Sequence, residues 1–84
     1  MLIKYMDISA LISLVANALE IAPDLIADQT QASEIEEWDS LGHISILVAL
    51  DEIIPEVSGS VPELASATSI PDLLRLLNDY PKSH

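Results

Sequence analysis

Ser40 is the residue of this chain best placed to do chemistry. It lies in the run Trp38-Asp39-Ser40-Leu41-Gly42, where an acidic stretch gives way to a long apolar segment. A serine at such a junction is presented at a helix N-terminus. Backbone N–H groups and the helix dipole there favour a negatively charged substituent such as a phosphate. Self-contained nucleophilic catalysis suits these residues poorly. The pentad half-matches the G-x-S-x-G elbow of hydrolases, but Trp38 stands where the first glycine belongs and no strand pattern precedes it. An activated serine also needs a positioned base and an orienting acid, and His43 and His84 are the only histidines. Acidic side chains could hold a divalent cation loosely, but no EF-hand spacing is present. Gly42 and Gly59 make no phosphate-cradling loop, and the absence of cysteine removes thiol chemistry, disulfides and zinc clusters from the chain itself.

The elements that must position Ser40 read as helices. Ile8, Leu11, Ile12, Val15, Ala18 and Leu19 form a stripe spaced three and four apart, with Asp7 as N-cap and Pro23 limiting the far end. From Ala22 to Asp39 the periodicity dissolves into a loop unusually long for a small domain, a sign of function or of private anchoring. Leu25, Ile26, Ile35 and Trp38 are its expected anchors, Trp38 as a core residue rather than a ligand. A second helix is predicted from Ser40 to Ile54, ended by Pro55. A short helix follows at Pro62–Ser66. The last helix begins at Ser69, with a capping-box spacing to Asp72, an inner stripe of Ile70, Leu73, Leu74 and Leu77, and Pro81 as its stop. No alternating strand pattern competes. The expected fold is all-α, a small four-helix bundle of three longer helices and one short one, with a long loop between helices one and two. The 84 residues are read as a single domain, 1–84, and as a monomer.

Composition narrows the function classes. A chain of this size buries only roughly 60–65% of its unfolded surface, which leaves little room for an enclosed active site. Fourteen acidic residues against three basic ones give a net charge of −11. Such a surface repels nucleic acid and anionic membranes and attracts basic protein patches. No apolar run is long enough to span a bilayer, and no basic segment leads into an apolar one, so membrane insertion is not expected and the expected location is cytoplasmic.

The second helix has two apolar faces. At about 100° per residue, Ile46, Leu47, Leu50, Ile53 and Ile54 gather on the core side, and Leu41, Ile44 and Val48 fall on the other, interleaved with Ser45, Asp51 and Glu52. Either the short helix or the long loop covers this second strip, or it is a partner surface of small apolar contacts ringed by carboxylates, directly downstream of Ser40. His43 falls on the inner half, as a packed histidine rather than a catalytic one.

Asp39-Ser40-Leu41, followed by Ile44, Leu47, Val48 and Leu50-Asp51-Glu52, resembles the phosphopantetheine-attachment segment of acyl and peptidyl carrier proteins. The resemblance extends over nearly the whole chain, including Thr68-Ser69-Ile70-Pro71-Asp72-Leu73 at the start of the last helix. It implies a carrier that is not itself an enzyme. A separate phosphopantetheinyl transferase would attach 4′-phosphopantetheine to the Ser40 hydroxyl, and Asp39 would match the family aspartate that helps place the transferase's metal ion. The arm's thiol would then hold an acyl or aminoacyl group as a thioester, received from a loading enzyme and passed to a downstream transferase or synthase of fatty-acid or specialised-metabolite biosynthesis. Leu41, Ile44, Val48, Asp51 and Glu52 would face those partners. Three features depart from the family pattern: Glu37 stands at a frequent glycine, Gly42 and His43 follow Asp-Ser-Leu where an acidic residue is common, and Ile54 replaces an aromatic. They favour a dedicated carrier of a specialised pathway. The residues taken without the resemblance leave a second class, an unmodified acidic helical adaptor that docks a basic protein partner.

Overall fold

The computed structural model describes residues 7–79, and these form an all-α bundle. Helix α1 spans Ile8–Leu19 and α2 spans Ser40–Ile53. A single turn, α3, covers Val57–Ser60, and α4 covers Ile70–Asp79. Each boundary has a local cause. Asp7 caps α1 by accepting from the Ala10 N–H at 2.8 Å. Pro55 cannot donate to the ladder, and α2 gives out just before it, with Ile54 as C-cap. Ser69 Oγ accepts from the Asp72 N–H at 3.1 Å, so the expected cap of α4 forms. The Asp72 carboxylate, however, reaches back to the Thr68 N–H rather than to Ser69. The predicted stop at Pro81 lies outside the described residues.

The core is aliphatic. Leu11, Val15, Ile46, Leu50, Val57, Leu64, Ile70, Leu73 and Leu77 are fully buried where the four helices and the turn before α4 converge. α1 buries a wider face than its stripe predicted, because Leu14 and Ala16 are also inside while Ile8, Ile12 and Ala18 sit half-covered at its margins. Residues 62–66, expected as a short α-helix, form a 3₁₀ turn opened by Pro62, and the extra α-turn α3 was not anticipated. Two apolar assignments are corrected. Leu25 is exposed, because the 3₁₀ turn Pro23–Leu25 directs its successor Ile26 inward instead. Ile53, assigned to the core face of α2, is 57% exposed. It borders a groove of about 550 Å³ against the small residues Ala10, Ser13 and Ala18 of α1, which are too short to cover it.

The loop from residue 20 to 39 is anchored rather than slack. Ile26 and Trp38 are buried, Ile35 is half-buried, and two 3₁₀ turns, Pro23–Leu25 and Ala32–Glu34, break it into short spans. Thr30 is buried and accepts from the Ala27 N–H at 2.7 Å through Oγ1. An antiparallel bridge pairs Gln31 with Ser69, with Ala32 donating to the Thr68 carbonyl and Ile70 to the Thr30 carbonyl. The loop is thereby stapled to the first turn of α4. No helix among the described residues is long and apolar enough to cross a membrane.

Candidate functional site

Ser40 is the first residue of α2 and is exposed. Asp39 is the N-cap, in extended conformation, and its carboxylate accepts from the Gly42 N–H at 2.9 Å. The Ser40 side chain therefore stands beside the first turn, where unpaired N–H groups and the positive end of the dipole lie.

Gly42 is the reason the loop can lie so close to this turn. A Cβ placed there would meet the Glu37 carbonyl oxygen at 2.1 Å and Leu19 Cδ2 at 2.8 Å. The backbone of residue 37 thus crosses directly over α2, which only a residue without a side chain permits. A glycine in the first turn of an otherwise aliphatic helix, where alanine is the better helix former, was the sequence signal of this approach.

Leu41, Ile44 and Val48 run down α2 from Ser40 as one exposed stripe, at 75%, 55% and 53% of full exposure, and Glu52 extends it by a turn. Neither the 62–66 turn nor the loop covers them. Asp51 behaves differently. It is half-exposed and both its oxygens are committed, one accepting from the Ser58 N–H at 2.9 Å and the other from the Ser58 hydroxyl at 2.7 Å. The Ser58 backbone bond first, then its hydroxyl bond, hold the Asp51 carboxyl below its ordinary value of 3.8. Asp51 therefore ties the end of α2 to α3, a role that spacing on α2 alone could not reveal because its partner is seven residues away across a turn.

A cleft of about 460 Å³ opens beside Ser40. Trp38 and Asp39 of the loop form one wall, His43, Ile44 and Leu47 of α2 the floor, and Ala65–Thr68 the other wall. His43 crosses it. The Trp38 indole N–H donates to His43 Nδ1 at 2.9 Å, and His43 Nε2 lies 2.8 Å from the Leu64 carbonyl. The two rings are nearly coplanar, 11° apart with centroids separated by 6.2 Å, the geometry of an in-plane N–H···N bond rather than of a stack. Both ring nitrogens are thereby occupied, which agrees with a packed histidine and leaves it no lone pair with which to activate Ser40. Among the described residues, no cluster of three or more potential ligands is placed to hold a metal ion.

The structure thus brings Ser40, Asp39, Leu41, Ile44, Val48 and Glu52 onto one continuous surface and turns Asp51 aside to α3. The chain matches no protein-family model, no curated protein and no solved structure.

Proposed function

We propose that this protein is a carrier whose Ser40 receives a 4′-phosphopantetheine arm, and that it ferries an acyl or aminoacyl group, as a thioester on that arm, between partner enzymes. The observation that carries the reading is the placement of an exposed serine as the first residue of α2, directly above an exposed apolar stripe. The resemblance of Asp39-Ser40-Leu41 and its surroundings to the carrier attachment segment supplies the chemistry. In the attachment step the Ser40 oxygen bonds to the pantetheine-side phosphorus of coenzyme A. The bond from that phosphorus to the bridging diphosphate oxygen breaks, the nucleotide bisphosphate departs, and the serine proton passes to the transferase.

The chain's own residues serve this step in three ways. Ser40 is accessible, so the transferase can reach it without unfolding the domain. The helix terminus offsets part of the charge of the new phosphodiester, which the surrounding acids would otherwise oppose. Leu41, Ile44 and Val48 supply apolar contact for the visiting enzymes, and Glu52 together with the overall negative charge steers basic surfaces toward them. The imported thiol accounts for thioester chemistry in a chain with no cysteine. A cytoplasmic setting, where coenzyme A is made and used, fits this role.

The test is intact-mass measurement after incubation with coenzyme A and a broad-specificity phosphopantetheinyl transferase. Wild type should gain one phosphopantetheine group, and Ser40→Ala should fold normally and gain none. An unmodified wild type would overturn the reading in favour of an acidic adaptor that docks a basic partner; modification of Ser40→Ala would move the site elsewhere.

A further inference from the structure

The Trp38–His43–Leu64 chain ties together the three elements that wall the cleft beside Ser40: the loop, α2 and the 62–66 turn. Its chemistry admits one protonation state. An indole N–H can only donate, so His43 Nδ1 must accept, and a carbonyl can only accept, so Nε2 must carry the hydrogen. The ring is therefore the neutral Nε2–H tautomer. A second proton would place a donor on Nδ1 against the Trp38 N–H, and a buried indole N–H would lose its acceptor.

From this geometry we infer that His43 is a proton-operated latch: neutral, it pins the loop and the 62–66 turn to α2 and fixes the shape of the cleft; protonated, it releases Trp38 and the loop that carries it. Histidine side chains as a class change charge between about pH 5 and 8, which sets the range over which the latch is to be tested. The ionisable side chains on the surrounding elements are Asp39, the cap just before α2, Asp51 and Glu52 near the far end of α2, Glu20 after α1, Asp24, Asp28, Glu34, Glu36 and Glu37 on the loop, Glu63 on the turn, and Asp72, Arg75 and Asp79 on α4. Asp39, Glu34, Asp72 and Asp51 are engaged by the Gly42, Gln31, Thr68 and Ser58 N–H groups, Arg75 lies 3.6 Å from Asp72, and the others are exposed. Asp39 is the one carboxylate that shares the cleft lining with His43. The latch does not require that Ser40 be modified, and its failure would leave the carrier reading untouched.

The experiment is NMR on the unmodified protein, whose single tryptophan gives one indole resonance. At about pH 7.5 the His43 nitrogen shifts should be those of the Nε2–H tautomer, with the Trp38 indole proton protected from exchange. As the pH falls to about 5.5, corrected protection of that proton and of the Trp38 and Ala67 amides should drop at least about tenfold more than that of Leu14 and Val15 in α1. His43→Asn, which keeps an acceptor for the indole but does not titrate, should abolish the pH step. His43→Gln should abolish it too, because its amide does not titrate either. The latch is refuted by a neutral ring protonated on Nδ1, by titration of His43 that leaves indole protection unchanged, or by a pH step that survives in His43→Asn. The first two results are read from wild type alone, so the idea is decided even if both variants fold badly.

Discussion

Replacing Gly42 by alanine separates two physical effects of opposite sign. Helix propensity favours alanine over glycine in a helix by about 1 kcal/mol. If Gly42 were an ordinary helical glycine, the substitution would stabilise the protein. The structure predicts the reverse. The added Cβ would sit 2.1 Å from the Glu37 carbonyl oxygen, and ordinary contact begins at 3.4 Å, so the backbone of the loop must retreat by more than an ångström. Leu19 Cδ2, at 2.8 Å, can rotate aside; a backbone carbonyl cannot. Overpacking costs typically about 1–3 kcal/mol, and a rigid backbone neighbour places this site at or above the upper end, so the net loss should be about 2 kcal/mol. At roughly 4–8 °C per kcal/mol for a domain of this size, the melting temperature should fall by about 8–16 °C. Urea denaturation measures the loss directly, and Trp38 emission reports whether the loop has moved. Gly59 supplies the control: a Cβ there meets nothing within 4 Å, so Gly59→Ala should be neutral or stabilising by up to about 1 kcal/mol. Gly42→Ala with wild-type or greater stability would refute the close approach of the loop to α2.

Val48→Asp should cost far less than the roughly 2–5 kcal/mol of truncating a buried aliphatic, because Val48 is more than half exposed. It should nevertheless slow modification of Ser40 or loading of the arm; unfolding of the variant would mean the strip is core, and normal kinetics that partners dock elsewhere. Asp51→Asn should lose stability at neutral pH. The folded carboxyl lies below 3.8, so its contribution is present above that value and disappears as pH falls through the lower folded value. The stability gap between variant and wild type should therefore close below pH 3.8, and a gap constant with pH would argue against the Ser58 tether. Asp51→Lys, for the same reason, should loosen α3 as well as alter association. With a net charge of −11, stability should rise as ionic strength goes from about 0.01 to about 0.15 M and the screening length falls from about 30 to about 8 Å; a flat or falling melting temperature would show that the acids are compensated locally.

Much of the helical framework was legible because its signals are local. Asp7, Pro55 and Ser69 act within one turn of themselves, and each delimits a helix as its type predicts. The exposure of Leu41, Ile44 and Val48 followed from angular position alone, since one helix cannot bury opposite faces against one core. The misreadings share a different origin. Ile53 has the right angle to be buried, but α1 presents only small residues opposite it, and size complementarity between helices is not encoded in either periodicity. The tie of Asp51, expected beside the strip as a partner-facing acid, to Ser58 could not be foreseen, because Ser58 becomes its neighbour only after the chain has turned. His43 could be placed on the inner half, but its partners, an indole five residues back and a carbonyl twenty-one residues on, belong to tertiary structure. Residues 57–66 divided differently from expectation because a single α-turn and a 3₁₀ turn are too short to carry a period.

The exposed strip and the acidic surface are best understood together. Three aliphatic side chains open to water in so small a domain would by themselves favour self-association. Two copies approaching through that face, however, bring net charges of the same sign together, and repulsion opposes the contact. A partner with a basic rim meets the same apolar residues with attraction in place of repulsion. The charge thus acts as a filter on which surface the strip accepts, and salt should move the two outcomes in opposite directions. Screening weakens attraction to a basic partner and weakens repulsion between copies. A strip used for heterotypic docking therefore predicts a protein that stays monomeric at low salt and binds its partner tightest there, and sedimentation at rising salt would reveal any self-association that the charge had suppressed. Val48→Asp, by removing the apolar contact at the middle of the strip, should abolish that salt-induced association if the strip is its site; association that persists in the variant would place the sticky surface elsewhere, with the exposed Ile53 groove between α1 and α2 as the next face to examine.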